Sequence, residues 1–326
     1  MDFPRRTFLQ LAAGAAALAS PGARAQSYPT RPIRLVVPFP PGGAYDTLGR
    51  PLAERLKAVL GTVIVENIGG GGSSLGAAQV AHAAPDGYTV LLGGTLPHVN
   101  EALLKSKPLY DPVRDLEPIS NVANNSLGIA VHPSVPVHNL TELVAYAKAN
   151  PGKLSYGHVG IGSLNHLGGE MFKSLTGTSE IVQVPYRGAG PATSDLISGQ
   201  IPMAVIAVTA QAIELHRSGK LRILAVTSNK RLAAAPELPT ATEEGVPLIT
   251  TNALGLLAPA GTPKDVIERL AQATHAALAD PAFVQKLTDL GFDPDPNSSP
   301  EVFRHTLQDD VAHWTPIIQS LGLKID

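Results

Sequence analysis

The chain has no cysteine, and that single absence removes disulfides, thiolate catalysis and cysteine metal sites together. It has one tryptophan and 5% aromatic residues, so its cores must be built from aliphatic side chains. An excess of either charge is missing too. With 25 basic and 27 acidic residues, the net charge is −2, without the basic field that nucleic acid or an anionic membrane surface demands. The glycines spell no G-x-G-x-x-G and no lysine-bearing phosphate loop, and the ten histidines form no H-E-x-x-H. No G-x-S-x-G frames a nucleophile, and Ser163 and His166, one turn apart on one helix, do not make a hydrolase site. These gaps predict no catalytic residue, no metal and no cofactor.

What is present begins with an export signal. Arg5-Arg6-Thr7-Phe8-Leu9-Gln10 precedes an apolar, alanine-rich run from Leu11 to Ala19, and Ala23-Arg24-Ala25 is a small-x-small cleavage site. The paired arginines suggest the twin-arginine route, with a Sec-type signal as the alternative. The run is too short to span a bilayer permanently, and no cysteine is there to carry a lipid, so no stable membrane anchor is expected. Cleavage near Ala25 places the mature chain, from Gln26, in the periplasm. Removing Arg5, Arg6, Arg24 and Asp2 leaves 22 basic and 26 acidic residues, a net charge of −4. About 300 mature residues suit two domains of ordinary size.

Short apolar runs alternate with helical patterns, as a parallel α/β architecture requires. Ile33 to Val37 reads as a buried strand and Leu48, Leu52, Leu56 and Leu60 as one helix face, with Pro51 expected to kink or disturb the opening turn. Val63–Val65, Thr89–Leu92, Leu127–Val131, Leu154–His158, Ile181–Val184, Leu221–Thr227 and Thr250–Leu257 read as further strands. Helices are expected over Leu140–Ala149, Leu164–Leu175, Pro263–Ala279, Pro281–Leu290 and Pro300–Leu321, the last packing Trp314 onto the first lobe.

Three glycine-rich segments each follow a strand and open a helix: Gly42-Gly43-Ala44, Gly160-Ile161-Gly162-Ser163 and Gly188-Ala189-Gly190. In open α/β sheets the carboxyl ends of strands face one crevice, and the orphaned amides of helix starts attract an anion there. The run Gly69 to Gly72 looks similar but fits no nucleotide fingerprint. Asp46 is an awkward neighbour for an anion, which favours a capping role. His166 either orients Ser163 or sits as a structural histidine.

The segments VPFPPGG with Asp46 and Arg50, ENIGGGGSSLGA, APDGYT, YAKANPGKLSYG, GIGSLNHLGGEMF, VPYRGAGPA, GKLRILAVTS and LLAPAGTP, in that order, resemble the Bug family of tripartite tricarboxylate transporter receptors. The resemblance covers essentially the whole mature chain. It implies an α/β, two-lobed periplasmic binding protein fold, type II-like, each lobe a mostly parallel sheet flanked by helices. On this reading residues 1–25 are the signal peptide, 26–126 and 251–326 the first lobe, and 127–250 the second.

The implied function is capture of a small organic carboxylate between the lobes and its delivery to membrane transporter subunits, by a monomer. An exported ligand-sensing protein of the same fold acting on a signalling partner is the alternative. The implied ligand-binding residues are Phe39, Gly43, Ala44, Tyr45, Asp46 and Thr95 in one lobe and Gly160, Ile161, Gly162, Ser163 and His166 in the other. Tyr45 stands where the family usually has a small or hydroxylated residue, and a ring at the pocket mouth is expected, with a solvent-facing ring as the alternative. Arg187 replaces a more usual lysine. The apolar Ile206 to Thr209 lacks a carboxylate for an amino group, which favours a plain or aromatic carboxylate over an amino acid.

Overall fold

A computed structural model describes residues 28–323, so the export signal lies outside the described residues. The first lobe opens with three parallel strands, β1 (Ile33–Val37), β2 (Val63–Asn67) and β3 (Thr89–Gly94), joined by helices α1 (Ala44–Leu60) and α2 (Ser74–Ala81). β1 lies between the other two, so both connections are crossovers. Its apolar run is buried nearly throughout, as a strand covered on both faces must be. The leucines of α1 face the same core, and the helix is continuous through Pro51. That proline leaves the carbonyl of Thr47 without its helical donor but does not end the helix.

The chain then forms a short helix α3 (Thr95–Val99) and a π-helical turn (Asn100–Leu104) before the long strand β4 (Leu116–Val131). β4 serves two sheets. From Leu116 to Ser126 it pairs antiparallel with β9 (Thr251–Pro259), the last pair being Ser126 with Thr251. From Leu127 to Val131 it pairs with β7 (Met203–Ala207) and β8 (Arg222–Val226). β9 in turn pairs with β3, which inserts it into the centre of the first sheet.

In the second lobe β7, β5 (Ser155–His158) and β6 (Val182–Pro185) are parallel, flanked by α4 (Leu140–Ala149), α5 (Leu164–Thr176), α6 (Ala189–Ser198) and α7 (Ala210–Arg217). The strands cross where Thr227 is fully buried; its hydroxyl lies 3.1 Å from the carbonyls of both Leu127 and Thr250 and accepts from the Thr250 hydroxyl at 2.6 Å.

Helices α8 (Lys264–Leu278) and α9 (Pro281–Asp289) cover the first lobe, and the short β10 (Asp293–Pro294) adds to β4. The final helix, α10 (Pro300–Leu321), touches both cores. Phe303 and Leu307 pack with Val36, Leu91 and Leu257, whereas Trp314 and Ile318 pack with Leu96, Val99 and Leu104 and with Leu127, Leu164 and Leu167 of the second lobe. Trp314 therefore plugs the junction of the lobes rather than the first lobe alone. Among the described residues no helix is long and apolar enough to cross a membrane.

Candidate functional site

The loop after β1 is held by one carboxylate. Asp46, in the first turn of α1 and almost fully buried, accepts from the Gly42 amide at 3.0 Å, from Asn67 Nδ2 at 3.0 Å and from Arg50 Nε at 3.1 Å, with a second Arg50 nitrogen at 2.8 Å. Asn67 also donates to the Phe39 carbonyl at 3.1 Å, tying the end of β2 to the same loop. Burial alone would raise the Asp46 pKa, but the hydrogen bonds from Arg50, Gly42 and Asn67 outweigh it and hold the carboxyl below its usual range. Asp46 is thus an internal pin with its oxygens engaged. The helix itself starts at Gly43 without a side-chain cap. Among the described residues the amides of Gly43, Ala44 and Tyr45 have no acceptor, and they carry the positive end of the helix dipole.

Tyr45 turns inward, away from both solvent and a pocket mouth. Its ring is 4% exposed, sits in the first core and lies 4.6 Å from the Phe39 ring, centroid to centroid. Its hydroxyl donates to Asn252 Oδ1 of β9 at 3.1 Å. Phe39 is half-buried and packs against the first core and against the core that gathers Leu96, Trp314 and residues of the second lobe.

Thr95 is fully buried as well: its hydroxyl accepts from the Ala253 amide at 2.9 Å and donates to Asp310 of α10 at 2.5 Å. Gly94 must precede it, because a Cβ there would stand 1.8 Å from the Ala253 carbonyl oxygen. Desolvation pushes Asp310 up to about 6, aided by the charge of Asp309 and opposed by the Thr95 bond.

In the second lobe the loop 160–163 closes on itself. Ser163 caps α5 by accepting from the His166 amide at 3.1 Å, while its own amide donates to the Gly160 carbonyl at 3.1 Å. His166 Nδ1 accepts from the Gly162 amide at 3.2 Å, which fixes the tautomer carrying its proton on Nε2. Its ring lies 4.7 Å from that of His158, centroid to centroid. Burial, and then the neighbouring His158, push His166 down to about 4, so it is neutral at pH 7. Among the described residues the amides of Ile161, Leu164 and Asn165 have no acceptor, and the Ser163 hydroxyl keeps its proton to donate.

The two loops therefore offer the same chemistry from two lobes: uncommitted amides at helix starts, without a cation in contact. Of the residues singled out in the sequence, Gly43, Ala44, Ile161 and Ser163 present donors, whereas Tyr45, Asp46 and Thr95 are engaged behind them. Ile206 and Val208 are buried in a third core, which leaves Ala207 and Thr209 as the partly exposed members of that stretch. Arg187 is exposed. Asn67, Asn252 and Asp310 are the supporting residues the sequence did not single out; the ENIGGGG motif around Asn67 was the one available signal. Among the described residues no cluster of acidic side chains and histidines is placed to hold a metal ion.

Residues 48–323 match the family described as tripartite tricarboxylate transporter family receptor. Protein BugT of Bordetella pertussis is 35% identical over 305 residues, 92% of each chain. Among solved structures, the periplasmic binding protein BugD aligns with a TM-score of 0.84 at 36% identity over 91% of this chain and 99% of its own. Rpa4515 of R. palustris, solved with adipate, aligns with a TM-score of 0.86 at 33% identity over 91% and 99%.

Proposed function

Because the chain belongs to the tripartite tricarboxylate transporter receptor family, we propose that it is a periplasmic receptor that captures a small organic carboxylate between its lobes and delivers it to a tripartite membrane transporter. The observation that carries this reading is the pair of helix starts with unfilled amides, Gly43, Ala44 and Tyr45 in one lobe and Ile161, Leu164 and Asn165 in the other. Charge-assisted bonds from such amides contribute about 1.5–3 kcal/mol each, so four supply roughly 6–12 kcal/mol before association costs, without an arginine clamp.

On this reading the lobes are residues 26–126 with 251–326, and 127–250. The switch of β4 from β9 to β7 at Ser126 and Leu127 supports that division. Gly43, Ala44, Ile161 and Ser163 meet the ligand; Tyr45, Asp46 and Thr95 hold the first loop in shape. Gly160, Gly162 and His166 do the same for the second.

The test is thermal stabilisation by adipate and malate beside their diamides and dimethyl esters. A carboxylate at a hundredfold excess over its dissociation constant stabilises by about 2.7 kcal/mol, and the neutral derivatives leave the melting temperature unchanged. Equal shifts from an acid and its amide would remove the anion site.

A further inference from the structure

The run Gly69 to Gly72, which the ligand site does not use, contributes Gly71 to a groove of about 400 Å³ lined also by Ser74, Leu75, Lys105, Ser106, Lys107 and Leu109. Leu75 and Leu109 are large apolar side chains left about half exposed, at 52% and 46%. Among the described residues neither Lys105 nor Lys107 is in an ion pair, although the chain as a whole carries more acid than base. Two residues before Gly71, Gly69 lies close against the ligand loop: a Cβ there would stand 2.8 Å from Pro40 Cδ. Gly70 leaves room for Leu75. Its φ of 131° is one that side chains rarely adopt, and a Cβ there would lie 2.7 Å from Leu75 Cδ1.

We propose that this groove docks an acidic, leucine-bearing segment of the membrane partner, beside the loop that closes on ligand. The inference rests on the receptor reading above. Two unpaired ammonium groups flanking exposed leucines complement carboxylates spaced by apolar anchors, the pattern of a peptide seated in a rimmed groove. A bilayer is the poorer fit, because the patch is concave and the net-negative chain is repelled by anionic lipid. The position also gives the contact a use: a partner gripping Leu75 sits on the same glycine run whose Gly69 packs against Pro40 of the ligand loop.

The experiment uses the full mature chain, the membrane subunits encoded with it in phosphatidylcholine nanodiscs, and empty nanodiscs of phosphatidylglycerol. Wild type binds the subunit discs, K105E/K107E binds at least tenfold more weakly, and G70A, whose added Cβ displaces Leu75, is also weakened. All three proteins keep the same melting shift with adipate or malate. Equal binding of the subunit discs by wild type and K105E/K107E overturns the proposal. Binding to the empty phosphatidylglycerol discs that K105E/K107E abolishes gives the groove to lipid and overturns it too. If no carboxylate shifts the melting temperature of any variant, the receptor reading has failed, while disc binding still decides the groove.

Discussion

Replacing Asp310 with asparagine tests whether the polar seam behind the ligand loops stores an ionisation cost. The carboxylate is half-buried on α10, its one hydrogen-bond partner among the described residues is the Thr95 hydroxyl, and Asp309 adds a like charge. Its folded pKa is raised to about 6 from an ordinary 3.8. A raised carboxyl binds its proton more tightly in the folded state, so the stability it contributes is complete at low pH and is lost as pH rises through the folded value. Integrating proton uptake between pH 5 and pH 8 with these two values gives a loss of about 1.4 kcal/mol. Asparagine accepts from Thr95 as the carboxyl does but has nothing to ionise. Urea unfolding of wild type and D310N at both pH values therefore gives a difference that moves by about 1.4 kcal/mol in the variant's favour from pH 5 to pH 8. The histidines titrate in both proteins and cancel. A difference that stays flat with pH would refute the reasoning and place Asp310 in contact with water.

Tyr45→Phe leaves Asn252 Oδ1 without its partner and should cost about 1–3 kcal/mol in urea unfolding; an unchanged midpoint would show that water replaces the hydroxyl. Asp46→Ala frees Arg50, Asn67 and the Gly42 amide at once, so about 1–3 kcal/mol of stability is lost and adipate affinity falls with it in calorimetry. Unchanged affinity would mean the first loop keeps its shape without the pin. His166 has a lowered folded pKa, near 4 against 6.5, so its stability is complete above 6.5 and lost as pH falls toward 4; His166→Asn should lose about 2.5 kcal/mol less than wild type between pH 7.5 and 4.5, and identical acid profiles would sink the assignment.

Period and punctuation carried much of the architecture. Ile33 to Val37, the leucine face of α1 and the helices behind Pro263, Pro281 and Pro300 were readable because each is decided by neighbours in sequence. The first half of β4 was not, because Glu117, Asn121, Asn124 and Asn125 break the apolar run and two register shifts interrupt its pairing with β9. The helix α3 and its π turn were hidden by Pro97 and by the buried polar His98 and Glu101. In the site, the glycine loops were legible as helix starts. The inward turn of Tyr45 was not, since its partner Asn252 lies 207 residues further along, and Asp310 meets Thr95 only once α10 has crossed both lobes.

The central place of β9 sets when the protein can fold during its synthesis. β3 and β4 are not neighbours in the sheet; β9 separates them, and it is made only after the whole second lobe. Until residue 259 has left the ribosome, both strands carry unpaired edges and the first lobe has a slot through its middle. Its completion waits on contacts that span more than half the chain, the slow class of closure. Until the last quarter of the chain arrives, the first lobe keeps those edges open to chaperones.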